Sequence, residues 1–235
     1  CRHTVSVTLK VSSQLCLDEG DRCPVLREKI AMESGLTVMR MGGIEQPVLG
    51  KSGDGICIDW GYVYLCAGQQ AQDGECLADG LKAVFIRENL DTDKKRDALF
   101  LLGYDDRFSI TYFEEPLKAY WKKDGQTIEQ ALQAAYTEYD AVLSRCRVFD
   151  EDMTQKAAAA GGGKYAQLLQ LALRQVLAAH KMVVDSHGDL LYISKECYSN
   201  GCAATVDISY PSMPLFLLYD PELVKGMMRP IFRYA

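Results

Sequence analysis

Hydrophobic positions change their spacing once along this chain, near Pro116. Before it, the period is two. His3, Val5, Val7, Leu9 and Val11 alternate with Thr4, Ser6, Thr8 and Lys10, the pattern of a strand with one buried face. LTVMRM (36–41), ICIDWGYVYLC (56–66), LKAVFI (81–86), ALFLLGY (98–104) and FSITYF (108–113) continue as strands. Turn-forming stretches at Gly42–Gly43, Lys51–Gly55 and Gln69–Gly74 separate them. Short strands spaced this way predict an antiparallel β-sandwich over 1–116. LREKIAMESG (26–35) fits either a short helix or a loop.

After Pro116 the steps become three and four. Ile128, Ala131, Leu132, Ala135, Tyr139, Val142, Leu143, Cys146 and Phe149 mark one apolar face, which predicts a helix over 127–152. Thr127-Ile128-Glu129-Gln130 starts it as a capping box. AAAAGGG (157–163) ends the pattern and reads as a helix-to-helix turn. A second helix is predicted over 164–184. Its apolar residues, among them Tyr165, Leu168, Leu169, Leu173 and Leu177, cover more than one face, so burial on most sides is expected. DSHGDLLYIS (185–194) reads as a turn and a short strand. Asp220-Pro221 opens a third helix, with Leu223, Val224, Met227, Met228 and Ile231 as its apolar face and Pro230 set to kink or shorten it. The fold class is therefore α+β: an antiparallel β-sandwich over 1–116, then the first helical hairpins of a larger domain over 117–235.

Composition narrows the partners. The chain has 235 residues, 48% hydrophobic and 25% charged, enough for one large or two small globular domains. Its 26 basic and 32 acidic residues leave a net charge of -6, and no basic cluster suits a nucleic acid. The longest apolar runs, ALFLLGY and PLFLLY, fall far below the ~18 residues of a membrane span. The chain starts without Met, shows no signal peptide and ends within a helical pattern, so it reads as a piece of a longer protein. Helix faces left uncovered in such a piece predict self-association.

Nine cysteines stand at 1, 16, 23, 57, 66, 76, 146, 197 and 202. They form no C-x-x-C and no Cys/His pattern of zinc type. No metal and no other cofactor is expected, and most of these residues read as small buried hydrophobes.

Polar groups crowd most densely just before the last helical run. Lys195, Glu196, Tyr198, Asn200, Cys202 and Asp207 fall within one turn-rich segment. Three stretches carry a family resemblance: FSITYFEEPLKAYWKKDGQTIEQALQAAYTEYDAVLSRCRVFD (108–150), GGKYAQLLQLALRQVLAAHKMV (162–183) and SKECYSNGCAATVDISYPSMPLFLLYDPELVKGMMRPIFRYA (194–235). The last is the most specific, with S-K-E-x-x-S-N-G-C followed by T-V-D and Y-P-S-x-P-L-F-L-L-Y. They resemble the glutaminase A family of large secreted fungal and bacterial proteins. The resemblance implies a β-sandwich followed by an (α/α)6 toroid of six helical hairpins. It also implies hydrolysis of L-glutamine to L-glutamate and ammonia, outside the cytoplasm.

Amide hydrolysis needs an activated water or nucleophile, a proton donor for the leaving nitrogen and donors for the oxyanion. Glu196 and Asp207 are the candidate catalytic carboxylates. Lys195, Tyr198, Asn200 and Tyr210 are the candidate substrate-binding residues. Cys202 is either a nucleophile served by His180 or His187, or half of a disulfide with Cys197. Serine chemistry has no support, because the chain lacks a G-x-S-x-G elbow. Trp121 reads as packing near the change of period, and Asp59 as a residue of a solvated strand face. Two further functions fit the same residues. One is a glycoside hydrolase with paired carboxylates, by analogy of fold; the other is a non-catalytic binding piece. The small-molecule substrate is thus glutamine or a sugar.

Overall fold

The computed structural model describes residues 3–18, 23–51, 57–91, 97–195 and 202–235. In chain order, the first strands are β1 (Thr4–Ser12), β2 (Val25–Ile30), β3 (Thr37–Gly43), β4 (Tyr62–Ala67), β5 (Gln72–Ala78), β6 (Leu81–Asp91) and β7 (Leu101–Asp105). They form two antiparallel sheets, ordered β1-β6-β5 and β2-β3-β4-β7. Alternation turns Val11, Val84 and Ile86 of one sheet toward Met39, Met41, Val63 and Leu65 of the other, and all seven are buried in one core. This is the sandwich expected from the period of two. On the opposite face of β1 and β6, Thr4 bonds Asp91, Ser6 bonds Asn89 and Arg87 bonds Thr8 at 2.6–3.2 Å. That face is polar because water, not a core, lies over it.

Two elements of the sandwich differ from the sequence expectation. LREKIAMESG supplies most of β2 over 26–30 and a loop over 31–35, and no helix. Its charges alternate, and Arg27 and Lys29 reach Glu75 (2.7 Å) and Asp73 (2.8 Å) on β5 of the other sheet. A tertiary partner decided the conformation of a locally ambiguous segment. β5 itself begins inside the stretch read as a turn, and Gly74 lies there because Phe85 occupies the space a Cβ would need, 2.8 Å away. Asp59, expected on a solvated strand face, lies outside any strand. It accepts the Asp18 N–H at 2.8 Å and pairs with Lys51 at 2.8 Å.

Short strands β8 (Ile110–Tyr112) and β9 (Glu115–Leu117) pair with each other. Helix α1 (Ile128–Thr137) follows, and α2 runs Tyr139–Ala178. The capping box at α1 is formed: Gln130 N–H donates to Thr127 Oγ1 (3.3 Å), and Thr127 N–H donates to Gln130 Oε1 (2.9 Å). The single helix expected over 127–152 is interrupted at Glu138, whose φ of -93° and ψ of 3° lie outside the helix.

Within α2, Gly162 has φ 81° and ψ 179°. Gln170 Nε2 donates to Thr154 Oγ1 at 2.6 Å. Sixteen residues of straight helix would separate them by roughly 24 Å, so the chain doubles back at Gly162. Met153, Ala157 and Ala166 are the buried residues of α2. The glycine run is therefore a helix-to-helix turn, as its composition suggests.

The second arm is not buried on most sides. Leu168 is 62% exposed, and Tyr165, Leu171 and Leu177 are also open. It stops at Ala178, because 180–184 leave the helix to form β10 (His180–Val184), which pairs with β11 (Leu190–Ser194). Helices α3 (Val206–Tyr219) and α4 (Pro221–Tyr234) make a second hairpin. α3 forms in spite of Pro211 and Pro214; Ser212 Oγ donates to the carbonyls of Ile208 (3.1 Å) and Ser209 (2.9 Å). Asp220 caps α4 through the Glu222 N–H at 3.1 Å, and Pro230 does not shorten it.

The chain divides into two compact units. One holds Cys57–Pro116 and Asp124–Tyr136 with the strands before them; the other holds Leu117–Lys123 and Thr137–Ala235. α1 thus groups with the strands, although the period changes before it. Cys16, Cys23, Cys66, Cys76 and Cys146 are free thiols. Burial pushes the Cys16 thiol up to about 12 and Cys66 to about 11, which leaves them inert. Among the described residues, no helix is long and apolar enough to cross a membrane.

Candidate functional site

The site region rests on the β10–β11 hairpin and the helices packed on it. Asp185 opens the turn of the hairpin, and its carboxylate accepts the N–H groups of His187 (3.0 Å) and Asp189 (2.9 Å). Arg229 of α4 donates to the Leu190 carbonyl at 2.6 Å and pairs with Asp189 at 3.3 Å. Gly226 of α4 lies directly against β11: a Cβ there would sit 3.0 Å from the Tyr192 nitrogen. Tyr192, Phe216, Leu223 and Met227 close a buried apolar cluster between β11, α3 and α4.

The hairpin register sets His180 opposite Ser194 and Met182 opposite Tyr192. His180 begins a strand rather than lying within an apolar helix. Its ring stacks on Tyr192 (4.5 Å, 14°) and meets Phe216 edge-on (5.6 Å). His180 Nδ1 lies 2.6 Å from the Val176 carbonyl, so Nδ1 carries the proton and donates. The Nε2 lone pair is buried, with no partner among the described residues. Burial holds the His180 pKa below the ordinary histidine range, opposed by the bond to Val176. Burial also pushes the Tyr192 phenol up to about 12.

At the far end of β11 the chain is tied on both sides of residues 196–201. Lys195 N–H donates to the Ala179 carbonyl at 3.0 Å, Lys195 pairs with Ala203 in a β-bridge, and Ala204 N–H donates to the Ser194 carbonyl at 2.8 Å. The Ser194 and Ser209 hydroxyls, each on a residue about 1% exposed, lie 3.2 Å apart. They join the last residue of β11 to the first turn of α3.

Of the residues singled out by sequence, Lys195 is exposed at this junction. Asp207 is exposed in the first turn of α3, where the helix dipole favours a carboxylate. Tyr210, one turn further on, is 73% exposed. Glu196, Tyr198 and Asn200, with Cys197, lie outside the described residues. Lys195, Asp207 and Tyr210 are thus carried on elements that the serine pair holds together. Cys202 is exposed and His180 is sealed in the stack, so the two do not form a nucleophile and base. Sequence reasoning missed Ser194 and Ser209. The alternation of β11 does place Ser194 on the face of Tyr192, but nothing in a lone serine announces a buried partner fifteen residues on.

Residues 162–235, which contain all of these groups, match the family described as the glutaminase A six helical-hairpin domain. The C-terminal segment of this chain is thus similar to the glutaminase A family. Residues 81–156 match a domain of unknown function (DUF5127). Among named relatives, "Glutaminase A" from Aspergillus oryzae is 30% identical over 139 residues, which is 57% of this chain and 20% of that protein. A protein named "Probable glutaminase" from Arthroderma benhamiae is 26% identical over 118 residues, 50% of this chain and 14% of the relative. The chain therefore spans about a fifth or less of the length of these glutaminase relatives. No solved structure matches. The two helical hairpins, at Gly162 and at Asp220, fit a domain built from hairpins of this kind.

Proposed function

We propose that this chain contributes the Lys195–Tyr210 site of a glutaminase that hydrolyses L-glutamine to L-glutamate and ammonia outside the cytoplasm. The match of residues 162–235 to the glutaminase A hairpin domain carries the reading. The geometry supports it by holding Lys195 and Asp207 on either side of the 196–201 segment. In this reaction one carboxylate takes a proton from water, whose oxygen attacks the amide carbon. The C–N bond breaks, and the other carboxylate delivers a proton to the leaving nitrogen. Asp207 and Glu196 take these two parts. Lys195 stabilises the oxyanion or receives the substrate carboxylate. Tyr198, Asn200 and Tyr210 orient the substrate. The location outside the cytoplasm rests on the family resemblance alone.

The open outer face of α3 is the surface through which this chain associates with a second copy. Val206, Leu217 and Leu218 are all more than half exposed there.

The test is ammonia release from L-glutamine by the full-length protein, with Glu196→Gln and Asp207→Asn variants beside it. Each substitution is expected to lower kcat by about 10²- to 10⁴-fold without unfolding. A folded protein that releases no ammonia sinks the reading. One that cleaves a glycoside instead moves the same carboxylates to sugar chemistry.

A further inference from the structure

Buried hydroxyls are seldom spent on each other without consequence. Each pairs because an unpaired buried O–H is costly, while a pair of apolar groups in their place would be nearly neutral. Ser194 and Ser209 are two of the few buried polar residues among those described. Their bond at 3.2 Å is the side-chain link between β11 and the first turn of α3. It sits at the point where the chain leaves β11 at Lys195 and returns at Ala203 and Ala204. Thr205 is the N-cap residue of α3, but its hydroxyl makes no capping bond, and the Ser212 hydroxyl bonds only carbonyls of α3 itself, at Ile208 and Ser209. Backbone bonds from Ile208 and Ser209 N–H to the Thr205 carbonyl close the turn internally without fixing it to the strand.

We propose that the Ser194–Ser209 hydroxyl pair is a positioning element, fixing the first turn of α3, and with it Asp207, against the end of β11 and Lys195. The proposal rests on the glutaminase reading for its catalytic consequence, though not for its structural one. Neither serine touches substrate. Their effect passes through Asp207, two residues from Ser209, and through Lys195, next to Ser194. A displacement of about 1 Å between groups that must act together costs on the order of 10²-fold in rate.

The decisive variant is the double substitution S194A/S209A in the full-length protein. Single substitutions leave one buried hydroxyl unpaired and confound stability with position. The double variant removes both groups and is expected to keep a near-native melting temperature. Its kcat for ammonia release should fall about 10- to 100-fold, with KM changed less than about threefold, a split that simple destabilisation does not produce. Amide hydrogen exchange over 203–209 should quicken while the middle of α4 is unaffected. An active protein whose double variant keeps native kcat overturns the proposal. Should the native protein release no ammonia, the glutaminase reading fails by itself and exchange decides the remainder: faster exchange over 203–209 sustains the pair as a positioning element, and unchanged exchange overturns it.

Discussion

Thr154 and Gln170 are sixteen positions apart in sequence and 2.6 Å apart in space. A helix without a break would hold them on distant turns, so their hydrogen bond fixes the reversal at Gly162. The φ of 81° with ψ of 179° at that residue is a conformation essentially reserved for glycine. Gly162→Ala is expected to destabilise the protein by about 1–3 kcal/mol, even though nothing lies within 4 Å of the added methyl. Gly163→Ala, next in the chain and equally unobstructed, should stabilise it by about 0.5–1 kcal/mol. Urea unfolding of the two variants checks this. Equal effects of one sign would mean that the reversal does not turn on Gly162.

Gly226 tests the packing of α4 on β11. A methyl there would lie 3.0 Å from the Tyr192 nitrogen and 3.2 Å from the Leu190 carbonyl. Backbone cannot yield as a side-chain end can, so Gly226→Ala should cost about 1–3 kcal/mol from overpacking. Propensity alone would favour alanine by about 1 kcal/mol. A net loss in melting experiments shows that contact wins; a gain shows that the helix and strand can part freely.

His180 makes stability depend on pH. Burial lowers its pKa in the folded state below the unfolded value near 6.5. The unfolded chain therefore binds the proton first. The contribution of the neutral ring is fully present above pH ~6.5 and is lost as pH falls through the folded pKa. Urea midpoints measured between pH 7.5 and 5 should fall more steeply for the native protein than for His180→Phe. Parallel curves would show that the ring takes up its proton equally in the folded and unfolded states.

The outer face of α3 predicts an oligomer. Leu218 is 74% exposed and Leu217 is 56% exposed. Sedimentation should show concentration-dependent association of this chain, abolished in L217E/L218E. A monomer at every concentration in the native chain would remove α3 as a contact surface.

The readable parts of this fold are those in which local sequence and tertiary partner agree. The alternation of β1, the Thr127 capping box, the glycine reversal and the Asp220 cap all state their conformation within a few residues. β2 does not: the segment of Arg27 and Lys29 fits a helix or a loop until Glu75 and Asp73 of the facing sheet are in place. α3 is concealed by Pro211 and Pro214, whose missing N–H groups matter less than the apolar face they leave intact. Before α3, sequence singled out Lys195 and Asp207, because density of polar groups is a local signal, and both are exposed. It missed the two serines, because burial is a property of the assembled elements. His180 was placed in a helix by its apolar neighbours, whereas pairing with Ser194 makes it the first residue of a strand.

Ala119 bridges to Val183, while α1, which comes between them in sequence, presses Ile128 and Leu132 against Gly103 of the sandwich. As the chain leaves the ribosome, residues 117–123 therefore emerge before the helix that completes the first unit, yet must wait for a strand made some sixty residues later. Synthesis order and assembly order cross at this point. A single cut anywhere between 116 and 137 yields two pieces of which at least one lacks a segment it needs, so fragments made by dividing the gene there should be recovered less well than the undivided chain.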